Sequence, residues 1–138
     1  MPRLTVEMKA SINSAHLDGV SLVLAVVDRE GRPLLSFRGS AQAYDDETLA
    51  MWIRKPESSA ALAALRANPQ VALVYSDMAT HRRRVGWMFS GRARVVDDAA
   101  VRETVFNNAD EPERSRDPEM TGAAVLVDLD EISGFPLD

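Results

Sequence analysis

Between Gly31 and Ser59 the chain reads GRPLLSFRGSAQAYDDETLAMWIRKPESS, and this stretch concentrates residues suited to holding an anion. Arg32, Arg38, Arg54 and Lys55 stand among apolar strand residues, where an unpaired cation is costly. A phosphate needs several donors converging on its oxygens, and arginine forks and helix N-termini both supply them. Arg54, Lys55, Ser58 and Ser59 lead into a helix whose first amides, at Ala60 and Ala61, have no partner within the helix. Ser36 and Arg38 would lie alongside on an antiparallel strand, and Trp52 offers a flat apolar surface. Together these residues suit a ligand with a planar ring and a phosphate tail. The competing reading is a charged sheet edge that guards against aggregation. In it Ser59 is only an N-cap, Trp52 only core, and Arg54 with Lys55 only a solvated loop end.

Other chemistries find little support. The chain has no cysteine, which removes disulfides, thiol catalysis and Cys-ligated metals and fits a reducing, cytoplasmic setting. No serine occupies a G-x-S-x-G elbow, and there is no GxGxxG or Walker-type loop. The two histidines, His16 and His81, lie far apart and lack recognisable partners, so no metal site is expected. His16 reads as a surface or capping residue, and Asp45-Asp46 as a solvated turn. A reactive group, if there is one, would be carried by a cofactor.

The elements that must position these residues follow from periodicity. Leu4, Met8 and Ile12 make the stripe of an amphipathic helix over Leu4–Ala15. Val20–Val27 and Pro33–Gly39 form a hairpin around Asp28-Arg-Glu-Gly31, with Ser40–Glu47 a polar connection to a strand at Thr48–Ile53. Ser58 or Ser59 caps a helix over Ala60–Ala67 that Asn68-Pro69 ends. Strands follow at Gln70–Tyr75 and Val85–Val96, the latter with Val85, Trp87, Phe89, Gly91, Ala93 and Val95 on one face. Gly86 and Gly91 would mark bends or the close approach of another backbone. Asp97 or Asp98 caps a helix to about Ala109. Asp110–Pro118 reads as a mobile loop, Ala123–Asp128 as the last strand and Ser133–Asp138 as a tail. This predicts a single α+β domain over residues 1–138, with about six antiparallel strands curled into a small barrel and two or three short peripheral helices.

The charge balance adds to this. The net charge is −5, yet Arg29–Arg94 holds 11 basic against 6 acidic residues and Val95–Asp138 holds 3 against 12. An acidic whole argues against nucleic-acid binding, whereas a basic centre suits a small anionic ligand. The longest apolar run, Leu22–Val27, is too short to cross a membrane, and no secretory signal is evident.

In order and spacing, LAVVDREGRPLLSFRGS, LAMWIRKPESS, ALRANPQVALVYSD and FSGRARVVDD resemble the pyridoxamine 5′-phosphate oxidase-like family of FMN-binding split β-barrel proteins. The resemblance spans about Val20 to Gly134. It implies a homodimer with FMN at the subunit interface and an oxidoreductase that exchanges electrons with a small-molecule donor or acceptor. By the match, Ser36, Phe37, Arg38, Gly39 and Ser40 would contact the ribityl-phosphate or ring edge, and Trp52, Ile53, Arg54 and Lys55 would line the flavin. Ser59 matches the serine that opens the phosphate-side helix, and the partner subunit would contribute Arg84. Where the family often carries lysine just inside that helix, this chain has Ala60-Ala61, so Arg38, Arg54 and Lys55 would have to supply the charge. No match to the substrate-gripping C-terminal residues is evident, so vitamin B6 oxidation itself is not expected. The rival expectations are a flavin- or haem-binding module without turnover and a deazaflavin-dependent reductase on the same fold.

Overall fold

The computed structural model describes residues 2–77 and 85–136. Its elements are α1 (Val6–Ser14), β1 (Leu22–Val27), β2 (Pro33–Arg38), β3 (Gln42–Asp45), β4 (Thr48–Ile53), α2 (Ala60–Ala67), β5 (Gln70–Asp77), β6 (Val85–Val96), α3 (Ala99–Asn108), α4 (Glu111–Arg114) and β7 (Ala123–Pro136). The strands form one antiparallel sheet in the order β2-β1-β5-β6-β7-β4-β3. The expected α+β class holds, with seven strands among the described residues rather than six.

The added strand, β3, lies inside the stretch expected to be a polar connection. Its first residue, Gln42, is 3% exposed and donates from Nε2 to the Ser40 and Val105 carbonyls. A buried amide whose Nε2 is held by backbone 63 residues away leaves no mark in hydropathy, and its Oε1 has no partner among the described residues. The expected tail is also strand: β7 continues through Ser133 and Gly134 to Pro136, because β6 is 12 residues long and pairs with β7 from Val96↔Ala124 to Val85↔Pro136. The expected mobile loop at Asp110–Pro118 contains α4, capped by Asp110, whose Oδ1 accepts from the Glu113 amide at 3.0 Å.

One core cluster gathers Leu22, Leu24 and Val26 of β1 with Leu49, Met51 and Ile53 of β4. Four strand spacings separate β1 from β4 in the sheet, about 19 Å if it were flat. Only residues 39–41 join β2 to β3, which stand at opposite edges of the sheet, so the sheet must curl around its inner face into a half-barrel. Helix α2 packs into the same cluster through Ala61, Leu62, Ala64 and Leu65. Ser59 caps it by accepting from the Leu62 amide at 3.1 Å. On the outer side, α3 lays Val105 and Phe106 over Ala50, Trp52, Ala124 and Leu126. Both faces of β4 and of the start of β7 are thus covered, which is why they read as unbroken apolar runs.

Gly91 is where two backbones approach closely. A Cβ there would collide with the Asp128 carbonyl, beside the bulge where the β6–β7 register shifts between Ser90 and Gly91.

Candidate functional site

Arg38 ends β2 on its inward-facing side, and Arg54 follows β4 directly. The two strands are far apart in the order of the sheet, but the curl brings their ends together. Ser40 marks the junction: its hydroxyl donates to the Trp52 carbonyl and accepts from the Trp52 amide, both at 2.9 Å. A cleft of about 240 Å³ opens beside it, and both guanidinium groups line it. Burial of Arg38 is the main influence lowering its pKa; Glu113 works the other way, and the charge of Arg54 lowers it further. Arg38 donates through Nε to Ser36 Oγ at 3.1 Å, and Arg54 makes no hydrogen bond or ion pair among the described residues. Two such cations sharing one cleft repel each other, and an anion between them would relieve that.

Of the expected site residues, Phe37, Arg38, Gly39, Ser40, Trp52 and Arg54 line this cleft. Ser36 stands behind it, holding Arg38. Ile53 is 1% exposed and belongs to the core, Ser59 is occupied as the cap of α2, and Lys55 is exposed with a φ of 52°. Arg84 and His81 lie outside the described residues. Arg32 is drawn away into the β1–β2 turn, where Asp28 takes its amide and its Nε, both at 2.9 Å.

Trp52 corrects the expected flat surface for a ring. Its indole is buried edge-on against Phe106, with ring centroids 5.2 Å apart and Arg102 4.9 Å from its own centroid. Nε1 donates to Asp117 at 2.8 Å. The exposed aromatic here is Phe37, at 77%.

Sequence reasoning missed His16, Asp110, Glu113 and Arg116. His16 is not a lone surface or capping histidine: Nδ1 lies 2.6 Å from Asp110 Oδ2, and Nε2 lies 3.7 Å from Glu113 Oε1. Arg116 donates to Glu113 at 3.4 Å. Gly39 makes room for this group, since a Cβ there would strike the Glu113 carboxylate and crowd the His16 ring. The sequence Asp110-Glu-Pro-Glu113 does carry a helix-start signal, with a cap, an early proline and an acid three residues on. Nothing local ties it to a histidine 94 residues away.

His16, Ser21 and Phe37 also border a second, more apolar groove of about 480 Å³ with Val20, Val23 and Val74. It opens onto the outer face of β2, β1, β5 and β6. There the register aligns Phe37, Val23, Val74 and Met88 in one row, with Leu35, Ala25 and Ala72 in the next. Leu35 is 72% exposed and Met88 42%. Such a contiguous apolar sheet face is the mark of an interaction surface. Among the described residues, no group of acids and histidines is arranged to hold a metal, and no helix is long and apolar enough to cross a membrane.

The family model described as pyridoxamine 5′-phosphate oxidase matches residues 6–128. No curated protein matches the chain in sequence. Among solved structures, HupZ from Group A Streptococcus is 20% identical with a TM-score of 0.72, covering 96% of this chain and 93% of that one. An FMN-binding protein from Syntrophomonas wolfei is 13% identical with a TM-score of 0.70, covering 96% and 87%. A FAD-binding protein from Mesorhizobium loti is 14% identical with a TM-score of 0.61, covering 99% and 97%. At these identities the likeness establishes the fold alone.

Proposed function

This chain belongs to the pyridoxamine 5′-phosphate oxidase family, and from that premise we propose that it is a homodimeric, FMN-dependent oxidoreductase. The observation that carries the reading is the convergence of Arg38 and Arg54 on one cleft beside an apolar groove. The polar end suits a phosphate and the groove suits a flat ring. The residues fit such a molecule: Arg38 and Arg54 would hold the phosphate, and Phe37, at the junction, would meet the ring system or its edge. FMN, when bound, supplies two-electron transfer between small molecules. The chain's part is to anchor the tail, orient the ring and exclude water. FMN-binding and FAD-binding proteins of the same fold support a flavin.

The groove is open along the apolar sheet face, so a second copy seated on Leu35, Phe37 and Met88 would cover both the face and the groove. Lys55, Ser59 and Arg84 are further proposed contacts, the last from the partner subunit.

The test is the absorbance spectrum of freshly purified protein, followed by FMN titration. A flavin spectrum, or its appearance on adding FMN, is expected, and reduction by a nicotinamide donor followed by reoxidation would establish turnover. A haem band, or protein that stays colourless with FMN, would overturn the reading.

A further inference from the structure

Arg116 brings a third guanidinium to the cleft that Arg38 and Arg54 line, and its role there rests on the anion reading above. The three arrive from different elements: Arg38 ends β2, Arg54 follows β4 and Arg116 follows α4. The backbone of Arg116 is fixed from its C-terminal side. Asp117, the next residue, accepts from the Trp52 indole and the Gly122 amide, both at 2.8 Å. Trp52 in turn is bonded through its backbone to the Ser40 hydroxyl at the cleft.

The side chain, 53% exposed, is held far less firmly. Its one polar contact among the described residues is Glu113 Oε1, at 3.4 Å. That same oxygen lies 3.7 Å from His16 Nε2. Both separations are long for charge-assisted bonds, which close to about 2.7–2.9 Å. Neighbouring arginines are treated differently. Arg114 donates to the Asn107 and Ala109 carbonyls, and Arg102 to the Met120 and Gly122 carbonyls. Backbone takes up those two guanidiniums, whereas Arg116 has a single loose partner that itself lines the cleft.

We propose that Arg116 is the third phosphate-holding cation of this site and that Glu113 is its resting partner. When a phosphate enters, the guanidinium turns from Glu113 Oε1 to the phosphate oxygens, where its planar fork makes two parallel bonds in place of one long one. The Glu113 carboxylate, left in the cleft, opposes the anion. The two residues therefore act in opposite directions on one ligand: Arg116 draws the phosphate in, and Glu113 weakens its hold.

FMN and riboflavin are the probes, because they share a ring and differ in the phosphate. In fluorescence titrations of the full chain, Arg116→Gln should weaken FMN binding about tenfold. Glu113→Gln should tighten it about threefold. Neither should shift riboflavin affinity. Arg66→Gln and Glu111→Gln remove the same charges from exposed positions outside the cleft and should leave FMN affinity unchanged. Breaking a merely structural ion pair acts in one direction from either side, so weaker FMN binding in both cleft variants would overturn the proposal. Unchanged FMN affinity in Arg116→Gln, an equal shift for riboflavin, or matching shifts in the two outside variants would also overturn it. Each of these results leaves the flavin site in place. Should Arg116→Gln fail to fold, Glu113→Gln decides alone, and FMN binding no tighter than wild type overturns the proposal. A wild-type chain that binds neither FMN nor inorganic phosphate would overturn the anion reading as well.

Discussion

Asp117 and Arg54 show how differently two charged residues of one region are treated. Asp117 is 7% exposed and accepts from the Trp52 indole, the Thr121 amide and hydroxyl and the Gly122 amide. Burial pushes its pKa up, but these hydrogen bonds outweigh burial and hold it below the ordinary carboxylate value. Its stabilisation is therefore fully present above the unfolded pKa of about 3.9 and is lost as pH falls through the lower folded value. Asp117→Asn turns an amide toward donors and should cost about 2–4 kcal/mol at neutral pH. Thermal melts should show that gap closing below about pH 4. Arg54 has nothing comparable to lose. Arg54→Ala should leave the melting temperature unchanged or raise it, because it removes a charge that repels Arg38. The same change should weaken FMN binding by about 1.5–3 kcal/mol, tenfold or more. Fluorescence titration alongside the melt separates the two effects, and unchanged FMN affinity would remove Arg54 from the site.

At the scale of elements, β6, β7 and α4 decide how the site is framed. The β6–β7 pair is the longest in the sheet, and Gly91 permits its bulge. Gly91→Ala would press a methyl group into the Asp128 carbonyl, and overpacking of this kind costs about 1–3 kcal/mol. Chemical denaturation should show that loss. Gly39→Ala is different in kind, because the obstacle is the end of a flexible glutamate side chain. It should displace Glu113 from the cleft and change anion affinity more than stability.

For the whole molecule, the curl of the sheet leaves one apolar face uncovered. Leu35→Asp lies on that face and outside both clefts. Sedimentation should show a dimer for the wild type and a monomer for this variant, since a buried unpaired carboxylate opposes association. A wild-type monomer that binds FMN tightly would remove the second copy from the proposal.

Much of this was legible in the chain itself. Apolar periodicity and capping residues place β4, β6 and α2 at the bounds the structure has, because those signals are local: alternation, a serine cap, an Asn-Pro stop. The same local chemistry gathers Arg38, Arg54 and their neighbours as candidates for holding an anion. Only the tertiary structure decided which of them meet. Arg38 and Arg54 face one cleft because the sheet curls, whereas Trp52 turns its ring into the core beneath α3. The pairing of His16 with Asp110, and the strand at Gln42, depend on contacts across long stretches of chain. Such contacts are made by packing, and no residue's immediate neighbours in sequence encode them.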